Sequence, residues 1–241
     1  MEEKNLTLVG HLGELRKRIM IIAAFILLGA IVSYNFIDPI VGYMVKPAKA
    51  IEFIYLSPPE LFLAYVKISV ISGLVLSSPM TLLQIWLFVK PGLKKTERRY
   101  LTFAMFMGII FFAMGSIFSY FTIIPISIDF FTQLSVQGVT PLFSFNNYLG
   151  FVISLLLSFG LVFELPLLII LLTQLNLITA ELLKKYRKFV ILVIVVVAAI
   201  LTPPDIISQM LLAVPMLFLY EFSIIIAVII GKRKKKKEKQ Q

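Results

Sequence analysis

Glu164 stands in the apolar run YLGFVISLLLSFGLVFELPLLIILL (residues 148–172), where the only other ionisable group is the Tyr148 hydroxyl at one end. A carboxylate near a bilayer centre costs roughly 2.5–3.5 kcal/mol on insertion scales, so such a group is protonated, partnered or turned toward a polar cavity. The chemistry open to it is proton relay or polar contact with something that enters the membrane. Two further glutamates lie among cations: Glu14 in HLGELRKR (11–18) and Glu97 in KKTERR (94–99). On spacing alone Glu14 pairs with Arg18 at i,i+4, worth about 0.2–0.5 kcal/mol, and Glu97 is a solvated charge. Glu221, inside a second apolar run, reads most simply as snorkelling or hydrogen-bonded within a helix bundle. There is no cysteine and a single histidine, His11. One histidine without a triad or clustered ligands argues against a metal site or nucleophilic catalysis, and no glycine-rich phosphate loop follows a strand. Neither an enzyme nor a cofactor or metal is expected.

The elements that must position these residues are membrane helices. Hydrophobic residues make up 59% of the chain, charged residues 15%, and mean hydropathy is +0.96, against about 25% charged residues in a soluble domain. Several runs approach or exceed the ~20 apolar residues that cross a hydrocarbon core of about 30 Å. Residues 19–37, 66–89, 101–124, 148–172, 189–201 and 210–230 are read as six spans, which puts both termini on one side. The segments assigned to that side carry 20 of the 23 Lys/Arg, whereas Lys46, Lys49 and Lys67 fall on the other. Since Lys/Arg in short loops set orientation, both termini are expected in the cytoplasm. The net charge of +10 is then mainly a topology signal. The basic tail, residues 231–241, faces anionic headgroups on this reading rather than nucleic acid.

Proline and capping signals refine the spans. Ser57-Pro58-Pro59-Glu60 has the form of a capping box, so the second helix should occupy residues 58–89, about 48 Å long at 1.5 Å per residue. Pro79 and Pro166 each remove a backbone donor, and kinks are expected in the second and fourth helices, which would then form a concave groove. The first long loop, residues 38–65, should pack as a cap. The fifth span has 13 apolar residues, about 20 Å of helix, too short to cross comfortably without snorkelling by Lys184, Lys185, Arg187 and Lys188. Thr202-Pro203-Pro204-Asp205 closes a tight hairpin between short fifth and sixth helices. It is either only a turn or, with Thr202 and Gln209 at its end, a place that thins the bilayer or offers hydrogen bonds to a partner helix. From these features alone, a proton-coupled small-solute carrier using Glu164 as relay fits, although no inverted repeat is evident.

Four motifs in order, HLGELRKR at 11–18, IWLFVKPGLKKTERR at 85–99, FELP at 163–166 and TPPD at 202–205, make nearly the whole chain resemble the family of the twin-arginine translocase core subunit TatC. The resemblance implies a multi-pass protein of a prokaryotic cytoplasmic membrane. It would receive folded precursors through N-terminal signals with paired arginines and work with single-span TatA/TatB-type subunits, driven by the proton-motive force. It leaves room for homo-oligomers within the receptor complex. Carried over by motif, Glu14 and Glu97 receive the guanidinium groups, with Phe88 and Arg16 beside them. Glu164 and Glu221 become polar spots of the bundle or groove, and Thr202, Asp205 and Gln209 become partner contacts. A guanidinium offers carboxylates a planar fork that a lysine ammonium cannot copy.

Overall fold

A computed structural model describes residues 8–48, 51–55, 57–92, 95–133, 142–201 and 206–238. Its helices are α1 (Leu8–Asn35), α2 (Ile37–Val45), α3 (Pro58–Val89), α4 (Lys95–Phe118), α5 (Ile124–Gln133), α6 (Phe145–Phe163), α7 (Leu165–Gln174), α8 (Ala180–Lys185), α9 (Arg187–Leu201) and α10 (Ile206–Glu238). Two short strands, β1 (Phe53–Ile54) and β2 (Phe143–Ser144), pair in parallel. Four helical stretches among the described residues are long and apolar enough to cross a membrane, and the bent pair α1–α2 adds a fifth. Outward-facing Phe121, Phe218 and Ile200 are 72%, 73% and 76% exposed, an arrangement suited to lipid rather than water.

Glycine decides how closely the first two long helices approach. A Cβ on Gly29 would lie 2.7 Å from the Gly73 carbonyl oxygen, so α1 and α3 cross backbone to backbone. Gly115 does the same for α4 against Phe159 of α6, and Gly160 accepts the Phe112 ring. Val152, Phe159, Ile124, Ala198, Leu212 and Ala227 form the fully buried centre.

At the far end of α1 the chain bends by 77° into α2 and covers the bundle, with Ile37, Met44 and Ala48 buried beneath it. Ile37 to Ala48 thus cover the bundle, the first part of the cap expected of residues 38–65. It is held by uncharged groups: the Tyr148 hydroxyl donates to the Met44 carbonyl at 2.7 Å, and the Tyr120 hydroxyl to the Tyr43 carbonyl at 2.9 Å. Tyr120 lies in a π-helical turn, Ser119–Ile123, that joins α4 to α5.

Two expectations are corrected, the Ser57 cap and the length of the last helix. α3 occupies the expected 32 residues, but the Ser57 side chain makes no cap hydrogen bond; the Glu60 carboxylate accepts from Ser144 Oγ at 2.6 Å, tying α3 to β2. α3 runs as one helix through Pro79, whereas the fourth span does break, at Glu164. The last helix is not short. α10 has 33 residues, about 50 Å, because the basic stretch continues it and Lys234 is anchored there. Lys234 Nζ donates to the carbonyls of Thr173 and Gln174 at 2.9 and 2.8 Å and to Asn176 Oδ1 at 2.7 Å, satisfying the end of α7. α9, by contrast, has 15 residues, about 22 Å, as its composition implied.

Candidate functional site

The basic end of α1 meets the last turns of α3. His11, Glu14 and Arg18 recur at helical spacing on one face of α1, and Gln84 and Phe88 stand one turn apart on α3. The Arg18 guanidinium links the two helices: Nη1 donates to Gln84 Oε1 at 2.8 Å, and Nη2 to Glu14 Oε1 at 3.1 Å. The Arg18 and Glu14 side chains are 22% and 24% exposed, so the pair is sheltered but reachable. Arg18 Nε is buried and without a hydrogen-bond partner. His11 stacks on Phe88 with ring centroids 4.4 Å apart and planes 17° from parallel. Nearby, the Arg98 guanidinium lies over the Trp86 ring at 6.0 Å, a cation–π contact that holds the start of α4 to the end of α3.

Glu14 bonds Arg18 and Phe88 stacks on His11, at the same end of the α1–α3 pair. Arg16 is exposed on α1. Glu97 belongs to the first turn of α4, but its side chain lies outside the described residues.

Glu164 occupies the break between α6 and α7. Pro166 has no N–H to give to the Val162 carbonyl, and the Glu164 N–H closes a tighter turn onto the Leu161 carbonyl at 3.1 Å. The carboxylate faces a cavity of about 560 Å³ between α1, α3, α4 and α7, whose other polar lining groups are Ser78 and Thr81. A Cβ on Gly108 of α4 would come within 3.3 Å of both carboxylate oxygens, so that glycine makes room for the charge. Among the described residues no hydrogen bond or ion pair reaches the carboxylate. A second apolar cavity of about 550 Å³ continues toward the cap and shares Val75 and Phe112 with the first. The two cavities together are apolar along most of their lining, with one carboxylate in the wall.

Glu221 does not belong to that groove. It pairs with Arg187 Nε at 2.6 Å on the outside of α10, because the start of α9 brings a cation to it. The Gln209 amide nitrogen donates to the Val195 carbonyl at 3.1 Å and ties α10 back to α9. Thr202 and Asp205 lie outside the described residues.

Sequence reasoning missed Gln84, the His11–Phe88 stack and Gly108. Gln84 carried a legible signal, a lone amide in the apolar run TLLQIWLFV at 8% exposure. A buried amide needs a partner, and Arg18 supplies it. Gly108 carried none, because only the fold brings it against Glu164.

Comparison with known proteins agrees with this architecture. The sequence model of the family "Sec-independent protein translocase protein (TatC)" matches residues 10–215. The chain is 40% identical over 193 residues to the Sec-independent protein translocase protein TatC of Carboxydothermus hydrogenoformans, covering 79% of each chain. It is 34% identical over 189 residues to TatCd of Bacillus subtilis, covering 78% of this chain and 77% of that one. A crystal structure of the twin-arginine translocase receptor TatC in DDM superposes with a TM-score of 0.79 at 34% identity, over 90% of this chain and 99% of the other.

Proposed function

Because the chain belongs to the Sec-independent protein translocase (TatC) family, a family of membrane translocase subunits and not of enzymes, we propose that its basic end reads paired arginines in the signal segment of a precursor protein. The observation that carries this reading is the Glu14 carboxylate, set on the face of α1 beside the stacked His11 and Phe88, 24% exposed at the mouth of the bundle. A guanidinium docking there gains charge-assisted hydrogen bonds, and Phe88 offers an aromatic flank. Glu97, in the same region of sequence as Trp86 and Arg98, is the proposed second carboxylate. The apolar part of the signal then lies along the groove between α1, α3, α4 and α7, with the Glu164 carboxyl group in its wall.

The remaining parts of the proposal follow from the charge pattern and the family. The basic end is cytoplasmic, as is the end of α10, and α9 is counted as a short sixth crossing in a prokaryotic inner membrane. Recruited TatA/TatB-type subunits supply what this bundle lacks, since its cavities of about 550 and 560 Å³ are far too small for a folded cargo. The α9–α10 hairpin, with Thr202 and Asp205, is the proposed docking place for such a helix. The proton-motive force drives transport.

The decisive experiment captures the detergent-solubilised protein on a peptide with paired arginines and on its two-lysine counterpart. Strong capture by the first and weak capture by the second is expected, with loss of capture in a Glu14→Gln/Glu97→Gln double variant that still inserts into membranes. Equal capture by both peptides overturns the assignment. Glu164→Ala should lower transport in vesicles while sparing capture; if capture vanishes too, Glu164 belongs to the recognition site itself. The Glu164 carboxylate, which no hydrogen bond or ion pair reaches among the described residues, is the one observation that favours a proton-coupled carrier. Proton-dependent solute uptake by the protein alone in liposomes would support that alternative.

A further inference from the structure

The carboxylate proposed to receive an arginine already holds one. Arg18 presents to Glu14 the same guanidinium chemistry that a paired-arginine signal would bring, and it does so from one turn away on the same helix. Its contact is single: Nη2 reaches Oε1 at 3.1 Å, while Nη1 is held by Gln84 at 2.8 Å. A guanidinium fork engages both oxygens of a carboxylate when both are open, and Arg18 occupies one of them. The Glu14–Arg18 pair is also close to neutral, with the exposed cations Arg16 and Lys17 adjoining it. An incoming cation is therefore attracted weakly until Arg18 is displaced.

We infer that Arg18 is an internal competitor of the signal arginine, braced against Glu14 by Gln84, and that binding proceeds by exchange of one guanidinium for another. The inference rests on the proposed reading of Glu14 and specifies how that site is regulated. The brace is itself incomplete. Arg18 Nε is buried without a partner, so the competing contact leaves a donor unsatisfied, which favours exchange over permanent closure. Exchange also sharpens selectivity. A lysine ammonium can satisfy one oxygen as a point charge but cannot replace a forked donor, so it displaces Arg18 poorly.

The test measures equilibrium binding of a paired-arginine peptide and a paired-lysine peptide to the full-length protein in detergent, in the parent and in four variants. Arg18→Gln opens both oxygens of Glu14 and should tighten the arginine peptide about threefold or more, from the release of a sheltered ion pair. The lysine peptide should gain less, so the arginine-to-lysine preference rises. Lys17→Gln removes the same unit of charge from an exposed neighbour that does not touch Glu14, and should strengthen both peptides equally. Gln84→Leu cuts the brace while leaving Arg18 in place, and should tighten the arginine peptide by a smaller factor. If Arg18→Gln and Gln84→Leu both weaken binding, Arg18 positions Glu14 instead of competing for it, and the inference is overturned. If Arg18→Gln merely reproduces Lys17→Gln, with no change in preference, the competition is absent and the inference again fails. Glu14→Gln separates the two levels: unaltered binding in that variant refutes the reading of Glu14 itself, whatever Arg18 does. Circular dichroism and gel filtration of each variant identify any that fail to fold, and Arg18→Lys, which keeps the charge but loses the fork, then replaces Arg18→Gln with the same expected direction.

Discussion

The two ends of the bundle are built from different kinds of bond. At the cap, the neutral hydroxyls of Tyr148 and Tyr120 bond the backbone carbonyls of Met44 and Tyr43, and Tyr148 is only 6% exposed. At the basic end the links are ionic and half-sheltered: Arg18 with Glu14 and Gln84, Arg98 over Trp86, and Lys234 on the end of α7. Hydroxyl–carbonyl bonds within apolar surroundings have no competitor from water and fix geometry. Sheltered ion pairs contribute little net stability and exchange readily with other ions. One end is made to stay put and the other to trade partners.

That contrast can be broken at its shared foundation first. Both ends depend on the α1–α3 crossing, so Gly29→Leu, which drives a side chain into the Gly73 backbone, should cost more than about 3 kcal/mol and abolish a monodisperse folded species on gel filtration. Next, Tyr148→Phe leaves the Met44 carbonyl without its donor and should cost about 1–3 kcal/mol, read as a lower melting temperature in micelles, while peptide capture is unchanged. Glu14→Gln should show the reverse: capture of the paired-arginine peptide falls about tenfold, near 1.4 kcal/mol, whereas stability moves by less than about 0.5 kcal/mol. A large fall in melting temperature from Glu14→Gln would mean that the basic end is as rigid as the cap. The smallest effect is expected from Lys234→Ala, about 0.3–1 kcal/mol, visible as faster amide exchange at residues 172–178 with α1 and α3 unaffected.

Local rules succeeded where local geometry governs. Tandem prolines after Ser57 placed the start of α3, and Pro166 marked the break at Glu164, because a missing N–H acts within one turn. They failed where a side chain finds a distant partner. Glu60, read only as part of a capping box, also accepts from Ser144, 84 residues away. Glu221, read as snorkelling or hydrogen-bonded within the bundle, pairs with Arg187, 34 residues earlier, at the start of α9. α10 was judged short from its apolar run, since hydropathy sees where the oil ends and not where a helix ends. Only the anchor at Lys234 shows why the basic residues continue it.

What the sequence determined by itself is the medium, the number of apolar runs, the asymmetry of charge and the family-like order of motifs. All of these are sums over local composition, and bilayer thickness and loop charge act on composition directly. The tertiary structure alone decided that Gly108 clears a space for Glu164, that two glycines let α1 and α3 touch, and that Arg18 reaches Gln84. Those are pairings across 44 to 66 residues of chain, and a hydrogen bond or a close approach exists only when both partners occupy the same few ångströms.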